Sequence, residues 1–319
     1  MWVASSLTTV KTPTAVALGN FDGLHQGHRR VLEPILNRSL APKEGGGQDT
    51  YASVVTFNPH PQEFFSGQPR ALLTPHAEKV KYLEAMGVEQ LVLLPFDRTL
   101  ANLSPQEFVE NILVRKLMAR RISVGEDFRF GRSRSGGCEE LKAIASSFGV
   151  EVCIAPLKKS EEKRIGSSAI RQALELGNII EAKRQLGRPY TVVGRVVRGQ
   201  QLGRTIGFPT ANLQLPPNKF LPRYGVYAVR ASWGNSIIPQ TSALGVINIG
   251  CRPTVDDNGL PTVEVHLLDW SEDLYGETIT ASLEHFLRPE KKFASLSELK
   301  DGIEADCAIA RKLLTGSTI

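Results

Sequence analysis

Cysteine is scarce and scattered in this 319-residue chain. Cys138, Cys153, Cys251 and Cys307 form no C-x-x-C pair and have no histidine at metal-ligand spacing. That gives no support for a zinc site or a disulfide framework and suits free thiols in a reducing cytoplasm. Long hydrophobic runs are missing too: the longest, such as Leu91–Pro95, fall far short of the ~18 residues a bilayer span needs. No membrane association is expected. The first ten residues, M-W-V-A-S-S-L-T-T-V, carry neither a basic segment nor an extended apolar one, so no secretory leader is expected. A large charge imbalance is also lacking, since 38 Lys+Arg against 33 Asp+Glu leave +5. A basic total invites a nucleic-acid reading, but its distribution argues against one. Residues 1–186 hold 24 basic and 20 acidic residues, and residues 187–319 hold 14 and 13. The stretch Arg115–Arg134 alone holds seven basic and two acidic residues, so one local patch matches the whole net charge. A basic stripe along the chain is excluded. No internal repeat or low-complexity segment is present.

What is there is an ordinary globular composition, 41% apolar with 28 glycines, at a length that points to two domains. Up to about residue 186, short apolar runs alternate with helical patterns. Strands are expected at Thr14–Gly19, Tyr51–Phe57, Gln90–Leu94, Arg121–Val124 and Glu151–Ile154. Helices are expected near Gln26–Asn37, after Thr74-Pro75 with Thr74 as N-cap, after the capping box Ser104-Pro105-Gln106-Glu107, and at Glu139–Phe148. Such alternation predicts a Rossmann-like parallel α/β sheet covered on both faces. The run Gly45-Gly46-Gly47-Gln48-Asp49 reads as a surface loop. After the helical stretch Asn178–Leu186 the pattern changes. Glycine and proline punctuate runs rich in Val, Thr and Tyr at Tyr190–Val197, Gly225–Arg230, Ala243–Ile249, Pro261–Leu268 and Thr278–Leu287. This predicts an antiparallel β-barrel of the six-stranded type. A last helix is expected from Ser297 to Leu314, where Ser297 and Lys300 make no full capping box. The boundary is placed at residues 185–189, giving domains 1–186 and 187–319.

Between the first strand and the first helix lies Gly19-Asn20-Phe21-Asp22-Gly23-Leu24-His25-Gln26-Gly27-His28. Ligands of open parallel sheets bind beyond the carboxyl ends of the strands, and a helix N-terminus there offers N–H groups to phosphate. His25 and His28, three positions apart, can face that site together, and Gly27 lets a nucleotide approach the backbone. Two capped surface histidines in a turn is the plainer alternative. The later string Ile165-Gly166-Ser167-Ser168-Ala169-Ile170-Arg171 opens a predicted helix with two hydroxyls and sets an arginine one turn on. It can hold a triphosphate and neutralise a departing pyrophosphate, although alone it is also an ordinary N-cap.

In the second half, Gly194, Gly199, Gly203 and Gly207 lead into Phe208-Pro209-Thr210-Ala211-Asn212. Glycines let amides reach phosphate, and the Thr210 and Asn212 oxygens can share a Mg²⁺. No G-K-[ST] follows, so this is not a Walker loop, and barrel-corner glycines are the alternative. In Thr262-Val263-Glu264-Val265-His266 the alternation sets Glu264 and His266 on one face. Glu264 there can act as general base on a hydroxyl, or simply belong to a solvated strand face.

The strand followed by G-N-F-D-G-L-H-Q-G-H, with the later S-S-A-I-R, resembles the His-x-Gly-His nucleotidyltransferases. More narrowly it resembles the FMN adenylyltransferase module of bacterial bifunctional riboflavin kinase/FAD synthetases. Thr56-Phe57-Asn58-Pro59-His60-Pro61 and Val124-Gly125-Glu126-Asp127-Phe128-Arg129-Phe130-Gly131 are similar to that family's signatures. The resemblance implies that His25 and His28 act at the α-phosphate of ATP and that Ser167, Ser168 and Arg171 bind its outer phosphates. It places Asn20, Phe21, Asp22 and Gly27 at the nucleotide, and Asn58, His60 and Asp127 near the substrate pocket. Each of those last three is equally a turn or helix-cap residue. Gly166 stands where many members carry another serine. The strings G-R-T-I-G-F-P-T-A-N, Gly245–Thr254 and Asp273-Leu274-Tyr275-Gly276 resemble the flavokinase module. They imply that Gly199, Gly203 and Gly207 line the ATP site, that Thr210 and Asn212 hold Mg²⁺–ATP, and that Glu264 deprotonates the ribityl 5′-hydroxyl. Arg288 would then form part of the flavin-side wall. Ile247, Trp270 and Cys307 are departures that touch no catalytic role.

The resemblance, spanning about residues 14–314, implies a cytoplasmic enzyme whose partners are riboflavin, FMN and ATP. The Arg115–Arg134 patch would draw in ATP, FMN and pyrophosphate, with a solvated surface as its plainer reading. Two other function classes compete. A tRNA-charging fragment would need a K-M-S-K-S-like loop and an RNA-binding appendage, and the sequence has neither. A non-catalytic flavin carrier would tolerate loss of Glu264 or the histidines, yet all are present.

Overall fold

The computed structural model describes residues 1–37, 50–157, 159–160, 163–199, 203, 206–234, 241–251 and 261–316. The glycine run 45–49 and the Arg252-Pro253-Thr254 end of one flavokinase-like string lie outside them. The chain forms two compact units, Met1–Ser167 and Ser168–Ile319.

In the first unit six parallel strands make one sheet. They are β1 (Trp2–Ala4), β2 (Thr14–Leu18), β3 (Tyr51–Asn58), β4 (Gln90–Pro95), β5 (Ala119–Gly125) and β6 (Glu151–Ala155), in the order β1-β4-β3-β2-β5-β6. Strand β2, T-A-V-A-L, is buried throughout because helices cover both of its faces. Ala15 and Ala17 pack with Val31, Leu32 and Ile35 of helix α1 (Gln26–Leu36) and with Leu83 of helix α3 (His76–Ala85). Val16 and Leu18 point the other way, to a core with Val109, Leu113 and Leu141. The short helices α2 (Pro61–Ser66), α4 (Arg98–Asn102) and α5 (Pro105–Glu107), the π-helical turn Phe108–Lys116 and helix α6 (Cys138–Ser146) fill the connections. Two short strands, β7 (Lys159–Ser160) and β8 (Lys163–Arg164), pair antiparallel before helix α7 (Ser167–Glu175).

The second unit is a closed antiparallel barrel ordered β10-β13-β12-β11-β14-β9. Its strands are β9 (Tyr190–Val197), β10 (Ala211–Gln214), β11 (Gly225–Trp233), β12 (Thr241–Cys251), β13 (Pro261–Leu267) and β14 (Thr278–Pro289). Helix α8 (Ile179–Leu186) packs on β14 and β9. The C-terminal helix (Leu296–Thr315) lies on the outer face of the barrel, where Ala310 and Leu314 meet Val226, Ala228 and Val246. The alternate residues Tyr227, Val229 and Ile247 therefore turn inward, and all three are fully buried.

The parallel sheet, the barrel and the closing helix are as expected, and so is the capping box of Ser104 and Glu107. Two strands are added to the expected set and two local readings are corrected. Strand β1 has too few residues to carry a periodic signal. Strand β10, hidden at the end of the glycine-rich stretch, is the sixth barrel strand. Thr74 is no N-cap: helix α3 starts at His76, and Thr74 binds elsewhere in the unit. The C-terminal helix is capped by Ser295, whose hydroxyl accepts from the Glu298 N–H, two residues before the expected start.

One ion pair fastens that helix to the barrel. The Arg288 guanidinium donates to both oxygens of Asp306 at 2.8–3.1 Å, and Asp306 is almost wholly buried. Removing one member strands the other, at a cost moderated by the partial exposure of Arg288. Asp306→Ala should therefore destabilise the second unit by about 2–4 kcal/mol. Urea unfolding read through the Trp233–Trp270 contact should show the lower midpoint.

Candidate active sites

Strands β2, β3 and β5 end side by side, so residues 19–25, 58–60 and 126–131 gather at the carboxyl edge of the sheet. The turn leaving β2 is strained: Phe21, Gly23 and Leu24 have φ of 48°, 89° and 45°. Non-glycine residues in this region cost about 1–3 kcal/mol each, so other elements must hold the turn in place. The Thr56 hydroxyl donates to the Asn20 carbonyl at 3.1 Å, and Lys79 Nζ donates to the same oxygen at 2.8 Å. Thr74 Oγ1 accepts from the Gly23 N–H, and the Thr74 N–H donates to Asp22 Oδ1. Ser167 Oγ donates to the Asp22 carbonyl at 2.8 Å.

This scaffold delivers His25 as N-cap of α1, with Nδ1 accepting from the His28 N–H at 3.3 Å. The two imidazoles stack with centroids 3.7 Å apart, and Phe21 tilts against His28 at 5.0 Å. His28 is half-buried, and its Nδ1 is buried without a hydrogen-bond partner among the described residues. Burial, then the charges of His25 and Lys79, push its pKa well below the usual 6.5. A Cβ on Gly27 would stand 3.1 Å from the His25 ring, so this glycine makes room for the imidazole.

The remaining expected residues of this half are spread unevenly. Phe21 has no exposed surface and Asp22 is buried, so both support the turn from below. Asn20, Asn58, Asp127 and Ser168 are exposed. His60 is the N-cap of α2, its Nδ1 accepting from the Gln62 N–H at 3.1 Å. The Arg171 guanidinium lies over the Phe220 ring at 4.7 Å.

In the second unit a cavity of about 310 Å³ opens between the outer barrel face and the C-terminal helix. Five of its lining residues are those expected from sequence: Gly203, Thr210, Asn212, Glu264 and Arg288. Asn212 pairs with Glu264, Glu264 with Asn248, Asn248 with Val226 and Val226 with Arg288 across five neighbouring strands. One rung of the barrel thus sets an amide, a carboxylate and a second amide side by side on the cavity wall. Glu264 and His266 are half-buried between the buried Val263, Val265 and Leu267, the alternation the sequence predicts. His266 Nδ1 lies 2.8 Å from the Pro209 carbonyl, and its ring packs edge-on to Phe208, tying the glycine-rich loop to β13. A Cβ on Gly199 would come within 2.4–2.6 Å of the Asn212 amide, and one on Gly203 within 2.3 Å of the Phe208 carbonyl. Gly207 takes φ 89°.

Sequence reasoning missed Asn248, Asp306, Thr74 and Lys79. Asn248 carried a signal, as the polar residue between Ile247 and Ile249 of an apolar strand. Lys79 carried a weaker one, a lysine four residues before Leu83 on the buried stripe of α3.

The chain matches the family model described as FAD synthetase over residues 7–169 and that described as riboflavin kinase over residues 186–314. A bifunctional riboflavin kinase/FMN adenylyltransferase from Escherichia coli (strain K12) is 40% identical over 300 residues, covering 93% of this chain and 91% of that one. The protein of the same name from Pseudomonas fluorescens is 39% identical over 300 residues, covering 94% and 93%. A crystal structure of a macrolide-efflux protein from Streptococcus pneumoniae is similar with a TM-score of 0.81 at 32% identity, over 97% of this chain and 98% of that one. Efflux belongs to that protein's name. Among the described residues here, no helix is long and apolar enough to cross a membrane.

The lowered pKa of His28 has a thermodynamic consequence. Unfolded, the imidazole takes up its proton near 6.5; folded, it does so only well below that. Its contribution to stability is therefore present above pH 6.5 and lost as the pH falls towards the folded-state value. His28→Ala should shrink the drop in urea midpoint of the first unit between about pH 7 and pH 5.

Proposed function

The chain belongs to the family of bifunctional riboflavin kinases/FMN adenylyltransferases, and from that membership we propose which residues carry each of its two reactions. It is an ATP-dependent enzyme that phosphorylates riboflavin to FMN and adenylylates FMN to FAD, releasing pyrophosphate. We assign adenylyl transfer to residues 1–186 and phosphoryl transfer to residues 187–319. We place the enzyme in the cytoplasm, where its four free cysteines stay reduced.

For the kinase step the reading rests on the rung Asn212–Glu264–Asn248, beside Thr210 on the cavity wall. Glu264 accepts the proton of the ribityl 5′-hydroxyl, the freed oxygen attacks the γ-phosphorus of ATP, and ADP departs. Thr210 and Asn212 supply neutral oxygens, and no cluster of three His, Cys, Asp or Glu residues exists among the described residues. So small an oxygen set fits Mg²⁺, which keeps most of its shell as water and phosphate oxygens. When bound, Mg²⁺ offsets the charge of the triphosphate. Gly199 leaves room for the Asn212 amide, and Gly203 and Gly207 shape the loop over the nucleotide. Arg288, paired with Asp306, forms the flavin-side wall.

For the adenylyl step the reading rests on the stacked His25–His28 pair at the N-terminus of α1. A phosphate oxygen of FMN attacks the α-phosphorus of a second ATP, and pyrophosphate leaves. No protein nucleophile is needed, because orientation and charge stabilisation carry such transfers. The imidazoles and the helix N-terminus stabilise charge at the α-phosphate. Asn20 and Gly27 flank the nucleotide, with Phe21 and Asp22 backing the turn. Ser167, Ser168 and Arg171 take the outer phosphates, and Asn58, His60 and Asp127 border the flavin.

The two assignments separate in one pair of variants. Glu264→Gln should lower FMN formation by about 10²–10⁴-fold while adenylylation of supplied FMN continues. His28→Ala should do the reverse. Products resolved by chromatography from riboflavin or FMN with ATP and Mg²⁺ decide the matter. Loss of both activities in either variant, or of neither, overturns the assignment.

A further inference from the structure

Lys79 is among the most deeply buried charged residues of the first unit, with 3% of its surface exposed. It sits in the first turn of α3, directly under the strained turn that precedes His25. Packing does not ask for an ammonium at this position: burying one is costly, and an apolar side chain of similar volume usually serves a fold as well or better. Among the described residues its ammonium donates one hydrogen bond, to a backbone carbonyl of the turn, that of Asn20, at 2.8 Å. The charged and titratable groups around it are Asp22 from the turn, His28 from α1, and His76 on its own helix, with the buried Glu78 adjacent in sequence. The Nδ1 atoms of both His28 and His76 are buried without hydrogen-bond partners among the described residues. Two imidazoles and an ammonium therefore share one region with the carboxylate of Asp22.

We propose that Lys79 is a positioning residue for adenylyl transfer. Its buried ammonium clamps the strained turn from beneath through the Asn20 carbonyl, so that the imidazoles at the start of α1 keep their place toward phosphate. The inference rests on the assignment of His28 made above. Two consequences follow from the geometry. Without the clamp, the turn holding Phe21 and Leu24 at positive φ loses one of the side chains that fix it, and the imidazoles lose their register. Without the charge, burial and His25 still oppose protonation of His28, and the lesser opposition from Lys79 disappears. Burial lowers the pKa of Lys79 from its usual 10.5 to about 8, against the opposing pull of Asp22. Above about pH 8 the ammonium gives way to a neutral amine, a weaker donor to the Asn20 carbonyl, so the clamp loosens and adenylyl transfer should weaken on that alkaline limb.

The experiment compares the full-length enzyme with Lys79→Met and Lys79→Arg, following FMN adenylylation from about pH 6 to pH 10. Riboflavin phosphorylation in the same samples is the internal control for intact protein, and nitrogen-detected NMR follows His28. Lys79→Met should lower adenylyl transfer by about 10- to 100-fold while phosphorylation stays at the wild-type level. His28 should then protonate closer to the ordinary 6.5. In Lys79→Arg, whose charge persists at any accessible pH, the alkaline limb should move upward. Wild-type adenylylation by Lys79→Met, an unmoved His28 titration in that variant, or an unmoved alkaline limb in an active Lys79→Arg each overturns the proposal. Failure of the His28→Ala test would overturn the underlying site assignment instead. A normal His28→Ala result with an unaffected Lys79→Met overturns the role of Lys79 alone.

Discussion

Between β2 and α1 the backbone passes through three left-handed residues within four positions, and two of them carry side chains. A turn of this kind persists only when its surroundings over-determine it. Thr56 at the end of β3, Thr74 and Lys79 at the start of α3, and Ser167 at the start of α7 each donate to or accept from its backbone. Much of the first unit can be understood as the apparatus that holds those few residues still. What the strain secures is position: the N-terminus of α1 and two stacked imidazoles stand together just beyond the carboxyl edge of the sheet. Phosphate chemistry rewards that arrangement, since pre-aimed donors do not have to reorganise as charge develops.

The second unit reaches a comparable result from the opposite geometry. A closed barrel has no carboxyl edge at which loops converge, and its candidate site stands on the outer face of the wall. Period-two alternation sends Val263, Val265 and Leu267 inward and leaves Glu264 and His266 outward. Pairing across β10, β13 and β12 then aligns Asn212, Glu264 and Asn248 without any loop being involved. The C-terminal helix completes the enclosure, and the Arg288–Asp306 pair fixes the distance between helix and wall. Glycines do in the loop what left-handed residues do in the first unit. At Gly199 and Gly203 a single extra carbon would collide with Asn212 or with the backbone.

Much of this was legible in the amino-acid sequence, for physical reasons. Strand β2 and the helix after it announce themselves because a fully buried strand reads as a nearly unbroken apolar run, which the glycines and polar residues of G-N-F-D-G then interrupt. Glu264 was legible because alternation is a local property. Strand β10 was not, since four residues after a run of glycines carry too little periodicity to separate strand from loop. Thr74 was misjudged because T-P at a helix start is a good cap locally, whereas its actual partners, Gly23 and Asp22, lie about fifty residues earlier. The same holds for Asp306, one of four acids on an amphipathic helix until β14 brings Arg288 to it. Contacts that join distant segments leave almost no mark on the local pattern, and several supports of the two sites are of that kind.

The basic cluster Arg115–Arg134 shows how far a charge count can mislead. Arg121 is buried, donating to Glu151 and to the Pro34 carbonyl, so it ties β5 to β6 and α1 and offers little to a ligand. Arg115 pairs with Glu110 on the π-helical turn. Arg129 extends past Gly137, where a Cβ would meet its guanidinium at 2.5 Å. Arg132 and Arg134 follow Gly131 in a short 3₁₀ turn, exposed beyond the end of β5. Of the local surplus, part is therefore consumed by the fold and part stands near the carboxyl edge where anionic substrates would arrive. Long-range attraction falls off over about 8–10 Å at ordinary ionic strength, so only the second part can influence encounter. The buried ammonium of Lys79, held against the Asn20 carbonyl beneath the turn that precedes His25, is a positive charge that no count of surface charge would single out.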